Sequence, residues 1–125
     1  MFATVCEFAS VHGDGTATLV HSGIDNLSVS MFPVPVRLWI YVEAAPGELS
    51  LGENQIGLLA VVNGNERELA SGKMELVAPG ATRLALPFQM VLEKADSVTF
   101  RVKVGTVEEK LTIKLTVKEG VAPNV

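Results

Sequence analysis

The chain is poor in the residues that most often carry chemistry. Its 125 residues include one cysteine, Cys6, and two histidines, His12 and His21. A single cysteine excludes an intrachain disulfide framework and any metal site built from cysteines alone. It is also compatible with a reducing compartment. Basic residues are scarce in the first 75 positions, where Arg37, Arg67 and Lys73 face nine acidic residues; positions 76–125 carry seven basic and five acidic ones. The net charge of −4 offers phosphate no overall attraction, which argues against nucleic acid as a partner. Long apolar runs are missing as well. The longest strongly aliphatic stretch, Leu58 to Val62, is far short of the roughly 20 residues a membrane helix requires. No positive charge precedes Glu7, unlike the basic start of a secretory signal. These absences lead us to expect a cytoplasmic protein without a membrane partner or a cofactor.

What the chain does have is alternation. Leu111, Ile113, Leu115 and Val117 fall on one side of an extended strand, and Lys110, Thr112, Lys114, Thr116 and Lys118 on the other. That is the pattern of a sheet with one dry face and one wet face. Similar segments run over Phe2–Ala9, Thr16–Ser22, Val36–Glu43, Gln55–Val62, Glu66–Val77, Arg83–Glu93 and Val98–Val104, with a less regular one at Ile24–Met31. His12-Gly13-Asp14-Gly15 and Asn63-Gly64 read as hairpin turns, Ala78-Pro79-Gly80 as a further turn, and Gly120–Val125 as a frayed tail. Residues 48–54 read as a loop, and Gly72 as a bulge. Pro87 marks its strand as an edge or bulged, and Pro33 and Pro35 mark a crossover or an edge. No capped helical period competes. The expectation is an all-β fold, a single two-sheet antiparallel β-sandwich of about eight strands, Ig-like or C2-like. With 48% hydrophobic and 19% charged residues, either some strands are covered on both faces or apolar surface meets a partner.

Three groups of residues are candidates for function. If the first hairpin turns at Gly13-Asp14, Cys6 falls directly opposite His21, and a thiol beside an imidazole is the minimal nucleophile–base pair of a thiol enzyme or redox sensor. No third orienting group or oxyanion turn accompanies the pair, so Cys6 also reads as a small buried hydrophobe. A metal site from Cys6, His12 and His21 lacks a fourth ligand. Asp14, Asp25 and Asn26 supply too few oxygens for calcium, although loops 12–15, 24–33 and 44–54 remain an alternative ligand-binding or calcium-binding end of a sandwich.

The strand Val36–Glu43 offers a surface instead. Val36, Leu38, Ile40 and Val42 make a core face, which leaves Arg37, Trp39, Tyr41 and Glu43 on the opposite side. Arg, Trp and Tyr combine large contact area with a polar handle and often anchor protein interfaces. Trp39 and Tyr41 are the chain's only Trp and Tyr. The competing reading is that the chain covers this face itself, with loop 44–54. Arg101, Lys103, Lys110, Lys114 and Lys118 read as the solvated face of an antiparallel sheet.

Thr4-Val5-Cys6-Glu7-Phe8-Ala9, the glycine turn with Thr18-Leu19-Val20, Gly23-Ile24-Asp25 and then Phe32-Pro33 before a hydrophobic strand carry a resemblance. Over roughly residues 2–45 the chain resembles an uncharacterised family of small bacterial all-β domains of unknown function. The resemblance implies a bacterial cytoplasmic β-sandwich and assigns no catalytic residue. Taken together, the expectation is a non-enzymatic module that works by contact through Arg37, Trp39 and Tyr41, with another protein or as a homo-oligomer.

Overall fold

A computed structural model describes residues 1–45, 47–76 and 81–117. The expected turn at Ala78-Pro79-Gly80, Val77, Lys118 and the tail at 120–125 lie outside the described residues. Among the described residues there are nine strands: β1 (Phe2–Val11), β2 (Ala17–Ser22), β3 (Asn26–Val29), β4 (Val34–Ala44), β5 (Gly52–Val62), β6 (Asn65–Leu76), β7 (Thr82–Leu92), β8 (Ser97–Val104) and β9 (Val107–Val117). They form a four-stranded sheet in the order β2-β1-β4-β7 and a five-stranded sheet in the order β3-β9-β8-β5-β6. No helix among the described residues is long and apolar enough to cross a membrane.

The all-β expectation holds, with two corrections. The strand count is nine rather than about eight, and the five-stranded sheet is mixed rather than antiparallel. The short β3 adds to β9 in parallel, Asn26 beside Lys114 and Val29 beside Val117, because the chain reaches that edge through a crossover from the other sheet. The remaining pairings are antiparallel.

Alternation places the core. The inward residues Val5, Leu38, Ile40, Val42, Phe88 and Leu92 of one sheet share a single buried cluster with Ile56, Leu58, Met74, Val98, Phe100, Val102 and Ile113 of the other. Phe88 and Phe100 meet across it with ring centroids 5.0 Å apart. Pro87 lies on β7, the edge of its sheet, where a missing N–H costs no ladder bond. Pro33 and Pro35 mark the passage from β3 in one sheet to β4 in the other.

Two local expectations are corrected. Gly72 pairs in regular register with Ile56, and the irregularity falls at Leu69, which is skipped between the pairs Leu58–Ala70 and Leu59–Glu68. The segment 48–54 is loop only in its first part. β5 begins at Gly52, while Leu49 and Asn54 are buried. Asn54 Nδ2 donates to the carbonyls of Ser50 (2.8 Å) and Gly52 (3.3 Å), so a polar side chain at a strand start stands in for loop backbone bonds.

Candidate functional site

The first hairpin decides what the outer face of the four-stranded sheet can offer. Its turn is one residue longer than Gly13-Asp14 implies. Gly15 N donates to His12 O (3.0 Å) and His12 N to Thr16 O (2.8 Å), with Gly15 at φ +86. This is a type I turn closed by a left-handed glycine, the usual three-residue hairpin loop. Asp14 Oδ1 locks it by accepting from Thr16 N (2.9 Å) and Thr16 Oγ1 (2.6 Å). These bonds, the side-chain one foremost, hold the Asp14 carboxyl below the usual carboxylate range.

The longer turn shifts every partner by one. Cys6 pairs with Ser22, and Cys6 and His21 do not meet. Cys6 is fully buried, whereas the His21 side chain is 79% exposed and its Nδ1 lies 2.6 Å from Glu7 Oε2. The nucleophile–base pair expected from a one-residue-shorter turn is therefore absent. Burial pushes the Cys6 thiol up, away from the thiolate that nucleophilic chemistry requires. Among the described residues no three His, Cys, Asp or Glu side chains gather as metal ligands.

The same hairpin explains Tyr41. β1 follows β4 only from Phe2–Glu43 to Cys6–Trp39. Beyond that point Cys6 and Ala9, three residues apart, enter the same apolar cluster, so alternation breaks between them. Opposite the break His21 has φ +47. The outer half of the hairpin thereby folds across the sheet. Its tip reaches β7, where Arg83 Nη1 donates to Gly15 O (2.7 Å), and Ala17 and Leu19 pack with Cys6, Ala9, Trp39, Tyr41 and Ala85. Arg83 also pairs with Glu43 at 2.8 Å. Tyr41 is only 4% exposed, and its phenol is pushed up by burial first and by the Glu43 charge second.

The expected trio therefore divides. Tyr41 belongs to a second small core, covered by the hairpin at 9–19 rather than by loop 44–54. Arg37 stays exposed and Trp39 half-buried. Both line an open groove of about 580 Å³ together with Glu7, Leu38, Leu69, Pro87, Phe88 and Gln89. Phe8, itself partly exposed, stands edge-on to Trp39 with centroids 5.3 Å apart. Glu7 and Phe8 were not singled out from the sequence as surface residues. The available signal was the near-continuous apolar run Phe2–Ala9, which indicates a strand covered on both faces for part of its length.

On the lysine-rich face of β8 and β9, Lys103, Lys110 and Lys114 are exposed and Arg101 is paired. Arg101 donates to Glu108 Oε1 (2.6 Å) and to Glu66, and Lys103 stands opposite Glu108 in register. The Arg101 guanidinium holds the Glu108 carboxyl low.

The thiol and phenol give a direct test. Cys6 should react with an alkylating reagent at least about a hundredfold more slowly in the native protein than in denaturant, as an opening free energy of about 3 kcal/mol requires. An equal rate would show that the hairpin does not seal this cluster. The pH dependence follows the directions of the shifts. Folded Cys6 and Tyr41 hold their protons longer than the unfolded chain, so their contribution is complete below about pH 8.5 and declines as pH rises beyond it. Asp14 and Glu108 act oppositely, and their contribution is lost as pH falls through the carboxylate range.

No known protein-family model matches the sequence, and no curated protein is significantly similar to it.

Proposed function

We propose that the chain is a β-sandwich of the Ig-like or C2-like kind that works without catalysis, by contact with another protein through the outer face of β4 at Arg37 and Trp39. The observation that carries this reading is the open groove that the only tryptophan, half-buried, lines together with Arg37 and Glu7. Around it the sheet face is already closed by the protein's own hairpin. A guanidinium beside an indole supplies both area and direction to a contact, and among the described residues Arg37 forms no ion pair. The likeness of residues 2–45 to small bacterial all-β domains is in keeping with an intracellular accessory role.

The test is affinity capture with identification of the bound protein. The variant Arg37→Ala with Trp39→Ala should lose that protein, while Lys114→Ala on the opposite sheet should keep it. Melting curves of all three should confirm that they fold. Trp39 emission should shift to the blue when the identified partner is added to the wild type. Equal capture by the double variant would overturn the reading.

A further inference from the structure

The Trp39 groove continues onto an open sheet edge. β7 is the last strand of the four-stranded sheet and pairs with β4 in unbroken register from Val34–Leu92 to Ala44–Thr82. Pro87 has no N–H, so its pair with Trp39 is one of the non-hydrogen-bonded pairs of that ladder. Gln89 and Val91 follow at intervals of two. Their N–H and C=O groups therefore point away from β4, past the end of the sheet, where they form a template for one more strand.

The facing edge, β6 of the other sheet, leaves room for it. The two edges are tied at one end, where Thr82 Oγ1 donates to Glu75 O (3.1 Å). Toward the other end a groove of about 390 Å³ lies over Gln89, Met90 and Val91, and both Arg37 and Arg67 line it. Arg37 and Gln89 also line the Trp39 groove, so the two are continuous. Arg67 pairs with the buried Ala60, so its side chain leaves from the inner face of its sheet, yet it is exposed. Arg37, opposite Gln89, leaves from the outer face of the other sheet. Two guanidinium groups thus flank one edge from its two faces. Of the chain's four arginines, Arg83 pairs with Glu43 and Arg101 with Glu66 and Glu108. Arg37 and Arg67 form no ion pair among the described residues. Among those residues no carboxylate lines the groove between them, and Glu7 and Glu93 line only the adjoining grooves at its two ends.

We propose that this edge binds an extended acidic segment of another protein, added beside β7 as a further strand whose carboxylates pair with Arg37 and Arg67. The proposal rests on the contact reading above and names the occupant. Main-chain bonds to Gln89 and Val91 supply affinity that is indifferent to sequence, and the two arginines supply the selection. Because Arg37 approaches from the outer face and Arg67 from the inner one, the two acids occupy adjacent positions of the added strand, whose side chains point to opposite faces. Val91, 55% exposed, gives an outward apolar side chain of that strand a neighbour to pack on.

Titration of the whole chain with short synthetic peptides tests this. The probe is a blocked peptide of alternating valine and threonine with two adjacent glutamates at its centre, and the control carries lysines in their place. The glutamate peptide should bind with a dissociation constant of about 100 μM or tighter, and the lysine peptide at least about tenfold more weakly. Arg37→Gln and Arg67→Gln should each weaken the glutamate peptide about fivefold or more, while both variants melt as the wild type does. N-methylation of one alternate set of the peptide's amides should abolish binding and of the other set should leave it, because only one set faces β7. Equal binding of the two peptides, indifference to both arginines or to both methylation patterns, or a dissociation constant weaker than about 1 mM overturns the proposal. A captured protein that depends on Trp39 but not on Arg67 leaves the contact reading standing and overturns only this occupant.

Discussion

Replacing Phe100 by alanine is expected to remove about 3–5 kcal/mol of stability, the largest loss from any single side chain among the described residues. Among the described residues Phe100 is the largest fully buried side chain, and it lies on β8, in the interior of the five-stranded sheet. Its ring meets Phe88 of the other sheet at 5.0 Å and an interplanar angle of 55°. The two rings therefore hold sheet to sheet, and neither strand can close on the void without bending away from its ladder neighbours. Typical domains have about 5–15 kcal/mol in total, so the variant should be marginal at best. Urea titration should show a much lower midpoint with an unchanged slope. Phe8→Ala is the contrast, since that ring is partly exposed and outside the shared core, and its loss should be about 1 kcal/mol. Equal costs at the two positions would mean that the sheets are not joined by one core.

Residues of this kind were the most legible in the sequence. On β8, Val98, Phe100, Val102 and Val104 alternate with polar residues, and all four are buried. A period-two pattern reports which face is dry without any knowledge of strand order. Turn chemistry was equally direct at Asn63-Gly64, where φ values of +51 and +80 make the two-residue turn that the pair favours. Topology was less accessible. Nothing local distinguishes β3, which pairs in parallel at an edge, from an irregular connection, because its partner β9 is about 90 residues away.

The positions of the candidate residues depend on turn length and on alternation. Cys6 opposite His21 required a two-residue turn, and the Asp14–Thr16 bonds make it three. A one-residue slip moves a side chain to the other face, so a site inferred from hairpin register is only as good as the turn. Arg37, Trp39 and Tyr41 were correctly placed on one face of β4, since alternation alone decides that. Which of them stays accessible depends on a hairpin folding back from residues 9–19. The apolar stretch Phe2–Ala9 contained the reason, because a strand apolar on both faces has to be covered twice.

Gly105→Ala is expected to cost about 2–5 kcal/mol through two separable effects. Gly105 and Thr106 form the tight turn from β8 to β9, with Val104 paired to Val107 and Gly105 at φ +58. An alanine in that left-handed conformation costs about 1–2 kcal/mol by itself. Its Cβ would also lie 2.6 Å from Asn54 Oδ1. Asn54 cannot swing aside freely, because its amide is held by the Ser50 and Gly52 carbonyls beneath the buried Leu49 loop. Moving it strands buried polar groups, which adds about 1–3 kcal/mol. Gly64→Ala isolates the first effect, since Gly64 has φ +80 and no atom within 4 Å of a new Cβ. Urea midpoints should therefore fall further for Gly105→Ala than for Gly64→Ala. In an Asn54→Ala background, the two glycine substitutions should converge, because the obstructing oxygen is gone. That convergence is a coupling of about 1–3 kcal/mol between positions 54 and 105 in a double-mutant cycle. Additive costs would show that the turn and the Asn54 plug are independent, and that the clash is relieved by the backbone.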